Sequence, residues 1–149
     1  MTRKVFYFLS ITWGLPLTIC GAVVALFLLV TGHRPHRWGG CLCFEFGKTR
    51  WGGLNLGLVI LCQPRASDAL KSHEVGHAVQ NALWGILTPF VVHFPSAVRF
   101  HIRNKKSARG ESLPPYDAVW YEAQATRIGK KFLDLERRQP WTSTTLRRR

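Results

Sequence analysis

The residues best placed to do chemistry are His73, Glu74 and His77, arranged as His-Glu-Val-Gly-His. On a helix, residues four apart stack on one face, so both imidazoles reach one tetrahedral ion while Glu74 stands beside them to take a proton from water. This is the ligand and general-base set of a zinc metallopeptidase. At the His and Glu frequencies of this 149-residue chain, an accidental match is expected on the order of once per hundred such sequences. The bland alternative, a surface helix with two solvated histidines, is correspondingly weak.

The motif needs a helix, and the local sequence supplies one. Ser67 and Asp68 are both capable of capping its start, Ala69, Leu70 and Lys71 favour helix, and no proline intervenes before Pro89. His73, His77 and Gln80 fall on one stripe, with Asn81 nearby, while Val75, Ala78, Val79 and Leu83 cover much of the rest. Such a helix is buried on several sides, and Gly76 leaves room for another backbone to come close. A catalytic zinc needs a third protein ligand. His93 and His101 are lone histidines, and His101 sits among Arg99, Arg103, Lys105 and Lys106 in what reads as a wet basic loop. Glu122 is better placed. A helix capped by Asp117 and running toward Glu136 puts Ala118, Glu122, Ala125, Thr126 and Gly129 on one face, a lone carboxylate among small residues that let helices pack closely.

The remaining chain must hold these elements. It carries a net charge of +13, yet 46% of it is apolar, and the apolar residues are concentrated, as in a membrane protein with basic water-facing segments. Val5 to Val30 contains no charge. This run exceeds the ~7–15 residues of a signal-peptide core and reaches the ~20 needed to cross a bilayer, so it reads as a transmembrane anchor, with Trp13, Gly14 and Pro16 as points of bending. Arg3 and Lys4 on one side compete with Arg34 and Arg37 on the other, leaving topology open. Thr31 to Arg50 reads as a Gly-rich loop. Trp51 to Cys62 is either a buried strand or a re-entrant segment, and Ala82 to Val98 reads as membrane-inserted or interfacial. The organisation expected is an anchor at 1–32, a metal-site domain at 33–136 and a basic tail at 137–149.

Cysteine spacing builds no rival metal site, since no Cys-x-x-Cys pair occurs. A bridge from Cys41 or Cys43 to Cys62 stays open. The basic segment from Arg99 to Arg149 would suit nucleic acid, but juxtamembrane bases drawn to anionic lipid explain it better.

The order Gly52-Gly53-Leu-Asn-Leu-Gly57, His73-Glu74-Val-Gly-His77-Ala-Val-Gln80, Phe94-Pro95-Ser96 and Glu122-Ala-Gln-Ala resembles small, uncharacterised bacterial membrane proteins with an H-E-x-G-H-x-x-Q helix, and more broadly gluzincin-type zinc metallopeptidases. The resemblance covers Trp51 to about Phe132. It implies His73, His77 and Glu122 as zinc ligands, Glu74 as catalytic base, a peptide or protein substrate, and a place in the bacterial cytoplasmic membrane. Gluzincins often carry Asp or Asn near the third ligand; here Gln124 and Ala125 follow Glu122, so Gln80 or Asn81 must orient the ligands instead. No Leu-Asp-Gly of intramembrane site-two proteases follows. The expected architecture is mainly α: a membrane-anchored zincin-like helical core behind an N-terminal transmembrane helix. The expected function is peptide hydrolysis by a zinc-activated water. The alternatives are a non-catalytic zinc-binding or structural membrane protein, and a basic membrane-tethered nucleic-acid or lipid binder.

Overall fold

Strand β4 (Val59–Cys62) is buried at all four positions, and the chain is organised around it. The computed structural model describes residues 1–48, 51–114 and 118–138, with side chains described through Asp134. Four short strands form one mixed sheet in the order β1 (His36–Trp38), β2 (Cys41–Glu45), β4, β3 (Gly53–Leu56). β2 and β4 run parallel, while β1 and β3 pair antiparallel at the edges. Alternation along the strands sends side chains to two cores. Cys41, Cys43, Ile60 and Cys62 pack with Val75, Val79 and Phe132 on one face; Phe44, Val59 and Leu61 pack with Ala25 and Leu28 on the other.

Each face is closed by a helix. The motif helix α3 (Asp68–Trp84) covers the first and α2 (Leu15–Val30) the second. α5 (Trp120–Arg138) lies along α3, and α1 (Arg3–Ile11) inserts Phe6 into the α3 core. Beyond α3 the chain passes through a 3-10 turn (Gly85–Leu87) and a π-helical turn (Pro89–His93) into α4 (Phe94–Ala108). The molecule is thus mainly helical with a small mixed sheet.

The uncharged run from Val5 to Val30 is not one helix. It breaks at Thr12–Gly14 into α1 and α2, bent by 87°, and no single described helix is long and apolar enough to cross a membrane. The sequence contains the cause: Gly14 precedes α2 and Pro16 lies in its first turn. Neighbours hold the corner, since Trp13 covers Gly85, where a Cβ would lie 2.3 Å from the indole, and Asn81 Nδ2 donates to the Gly14 carbonyl at 3.3 Å.

Three further expectations change. The supposed loop from Thr31 holds β1 and β2, joined across Gly39 and Gly40, both at positive φ (55° and 77°), as a two-residue hairpin turn requires. Trp51 to Cys62 is a hairpin, β3 and β4, turning at Gly57 and Leu58. The basic stretch around His101 is helical, inside α4, whose first turn contains Pro95. All four cysteines are free, and Cys41, Cys43 and Cys62 are buried. Asp117 and residues 139–149 of the basic tail lie outside the described residues.

Candidate metal centre

α3 begins where the sequence places it, with Ser67 Oγ accepting from Leu70 N at 3.2 Å, and ends at Gly85 with φ 55°. From Glu74 to Ala82 every residue is buried, because the sheet, α1 and α5 enclose the helix. α5 approaches α3 backbone to backbone. A Cβ on Gly76 would lie 1.9 Å from the Ala125 carbonyl, and one on Gly129 would lie 1.9 Å from the Ser72 carbonyl. Small residues therefore set the helix spacing, and that spacing carries Glu122, 0% exposed, under the two histidines.

Three ligand atoms converge there. Glu122 Oε2 lies 3.0 Å from His73 Nε2 and 3.3 Å from His77 Nε2, and the two imidazole nitrogens are 3.1 Å apart. A tetrahedral ion with bonds of about 2.0–2.1 Å sets neighbouring ligand atoms about 3.3–3.4 Å apart, so the triangle accepts an ion with small adjustments. Among the described residues this is the group of His, Cys, Asp and Glu able to hold a metal ion.

Partners behind the ligands aim them. Gln80 Nε2 donates to the Tyr121 carbonyl at 2.8 Å and to Gln124 Oε1 at 2.9 Å, which turns its own Oε1 toward His77 Nδ1 at 2.8 Å. That oxygen only accepts, so the His77 proton sits on Nδ1 and the lone pair is on Nε2, which faces His73 and Glu122. His73 Nδ1 meets Thr126 Oγ1 at 2.9 Å, and the Ser96 hydroxyl donates to Glu122 Oε1. Of the two orienting residues expected, Gln80 takes the role, while Asn81 turns to Gly14. Thr126, one turn after Glu122, is the partner behind His73 and was not singled out as such from the sequence. Its only sequence signal was that one-turn spacing, which also fits a plain small-residue face.

Glu74 faces away from α5, toward β3. It lines a cleft of about 600 Å³ together with His73, His77, the β3 segment and the inner side of the π turn and α4. The fit is close: a Cβ on Gly53 would stand 2.6 Å from Glu74 Oε1. Burial pushes the Glu74 carboxyl above the usual range, against the pull of His77 and His73. For Glu122 burial acts upward too, but the two imidazoles and Ser96 reverse it and hold the carboxylate well below its ordinary value. His77 is lowered by burial and raised by Glu122, Glu74 and Gln80, with a net rise.

β3 is the outer strand on the cleft side. The Gly52 carbonyl accepts from Gln63 N at 2.9 Å, so the ladder bonds to β4 fall at Gly52, Leu54 and Leu56, and Gly53 and Asn55 turn their backbone groups to the open edge. The Asn55 carbonyl is met there by His93 Nε2 at 3.0 Å. His93 thus tethers the π turn to the strand; burial lowers its pKa, and it stands outside the ligand triangle, its ring 6.2 Å from that of His77. His101 lines the outer cleft and is exposed. No protein-family model, curated protein or solved structure matches this chain.

Proposed function

We propose that the protein is a membrane-bound metallopeptidase with zinc held by His73, His77 and Glu122 and with Glu74 as the general base. The observation that carries this reading is the convergence of three ligand atoms from two helices, with both histidine rings hydrogen-bonded from behind, beside a buried carboxyl in an open cleft. Two imidazoles and a carboxylate favour zinc over magnesium or calcium. Ferrous iron also takes two His and one carboxylate; the base adjacent to the first ligand, on the same helix, favours hydrolysis.

A bound zinc supplies Lewis acidity toward water and the scissile carbonyl. Glu74 takes the water proton and returns it to the leaving amine; burial raises its carboxyl above the ordinary range, which favours its holding a proton between the two transfers. An extended peptide adds as a strand to the open edge of β3, using the N–H and C=O of Gly53, which lines the same cleft as His73, Glu74 and His77. The apolar run 5–30 attaches the protein to the bilayer, which we place in a bacterial cytoplasmic membrane.

The test is metal analysis of detergent-purified protein together with single variants. About one zinc per chain is expected, lost in His73→Ala and His77→Ala. Glu74→Gln keeps the metal while cleavage of a peptide library falls at least ~10²-fold. Full zinc occupancy in the double His variant overturns the site. Full cleavage by Glu74→Gln overturns the mechanism and leaves the zinc-binding alternative.

A further inference from the structure

α2 touches protein along one narrow stripe, with Gly21, Ala25 and Leu28 buried. The rest of its surface is apolar and open: Ile19, Val23, Leu26, Phe27 and Val30 are 52–80% exposed. A monomer in water seldom leaves so large an apolar surface bare. A second apolar island follows α3. Leu83, Leu87, Phe90, Phe94 and Val98 recur every three or four residues and are 43–71% exposed. The islands meet where Trp13 covers Gly85. The inner side of this second segment, through Val92, His93 and Ser96, is the wall of the metal cleft.

A span is the wrong geometry for α2. Its 16 residues reach about 24 Å, short of a ~30 Å hydrocarbon core. More decisively, the sheet lies alongside it. Gly21 abuts the Leu56 carbonyl, Ala25 and Leu28 pack on Phe44 and Leu61, and the His33 ring is 5.9 Å from Phe46. A spanning α2 would carry a sheet with two open edges into lipid, where backbone groups find no partners. Charge names the partner. No acid occurs from Met1 to Phe44 or from Val75 to Gly110, while Lys4, Arg34 and Lys105 are exposed bases, a pattern matched to anionic headgroups; Lys106 pairs with Glu111 at 3.9 Å.

We propose that α1, α2 and the outer side of the 83–102 segment form one monotopic face that lies in the surface of an anionic bilayer and sets the metal cleft at the membrane–water boundary. This deepens the membrane attachment above and does not depend on turnover.

The test uses the full chain with Cys20→Ser, added to preformed sealed vesicles of phosphatidylcholine and phosphatidylglycerol. Lys4→Cys and Arg34→Cys mark the two ends of the α1–α2 pair. Both are expected to react with an impermeant maleimide from outside; protection of either end means a span and overturns the proposal. A fluorophore on Phe94→Cys is expected to be quenched by brominated acyl chains, and one on Glu111→Cys is not. Recovery of the chain in the aqueous phase, or shielding of the Phe94 probe that follows protein concentration rather than brominated lipid and so marks a second copy, also overturns it. Zinc measured in the same samples separates the readings, since retained metal with a failed topology leaves the metal centre standing.

Discussion

The α3–α5 seam and the α1–α2 corner are both built from small and apolar residues, and they use them in opposite ways. In the seam, Gly76, Ala125 and Gly129 bring two backbones together until no Cβ would fit at either glycine, and polar atoms fill the space that remains. At the corner, Gly14 and Pro16 turn the chain by 87° and leave apolar side chains facing out. The difference lies in what stands opposite. The seam faces protein, so its buried polar groups are matched with one another; the corner is tied to protein at Trp13 and Gly14 and leaves the apolar faces on either side open, which on the proposed reading ask only for apolar area and nearby positive charge. Tolerance to substitution should divide the same way.

The largest effect should come from the seam itself. Gly76→Leu forces a side chain into the Ala125 carbonyl, so α5 must withdraw and take Glu122 with it. Overpacking of this kind costs about 1–3 kcal/mol or more when backbone is in the way. The expected outcome is a lowered unfolding midpoint in detergent and loss of stoichiometric zinc. Val23→Leu, on the open face of α2, should change neither. Equal effects at the two positions would remove the contrast.

The orienting residues should matter less than the spacing. Thr126→Val and Gln80→Leu each keep the three ligands and remove one hydrogen bond behind a histidine. Zinc affinity by competition with a chelator should fall about 10–100-fold, with Gln80→Leu the worse of the two because Gln80 also ties α3 to the Tyr121 carbonyl and to Gln124. An unchanged affinity in both would show that helix packing alone aims the ligands.

Gly53→Ala acts on Glu74 rather than on the ligand triangle. Its methyl would lie 2.6 Å from Glu74 Oε1, so the carboxyl must move while His73, His77 and Glu122 stay put. If the peptidase reading holds, cleavage should fall by up to about 10²-fold, the loss that misplacing a catalytic group by an ångström can produce, with zinc content unchanged. Loss of zinc instead would mean that Glu74 supports the metal site.

What was legible in the chain follows the same division. Ser67, the His73–His77 spacing and the small-residue face around Glu122 announce themselves because helix periodicity and close packing leave a residue-level trace. The bend at Trp13–Gly14–Pro16 was visible, though not its consequence, since a turn residue says nothing of its angle. β1 was hidden because three residues, two of them His36 and Arg37, show no alternation; the Gly39–Gly40 pair was its one signal. α4 was hidden by its bases, although Phe94, Val98 and Ile102 keep a four-residue spacing through them. Thr126 could not be singled out, since its partner His73 is 53 positions away.

The smallest effect belongs to the exposed start of α3, which tests whether the polar matching that governs the seam extends to the surface. Glu45 reaches from β2 to Lys71 Nζ at 2.6 Å and accepts from the Arg65 backbone at 2.8 Å, holding Arg65 at φ 58°, a left-handed conformation that a non-glycine residue adopts at some cost. The Lys71 hydrogen bond lowers the Glu45 pKa, with burial opposing and the Arg65 N–H assisting. A carboxylate lowered in the folded state contributes stability above its unfolded pKa of about 4.3, and loses it as pH falls through the lower folded value. Glu45→Gln mimics the protonated form. It should therefore be less stable than the parent near pH 7 by about 0.5–1 kcal/mol, as for a solvent-screened pair, and the gap should close in acid as the parent protonates. Urea unfolding in detergent at both ends of that range checks this: a gap that stays constant with pH would show that ionisation of Glu45 is not its source, and no gap at all would confine the need for polar matching to the buried seam.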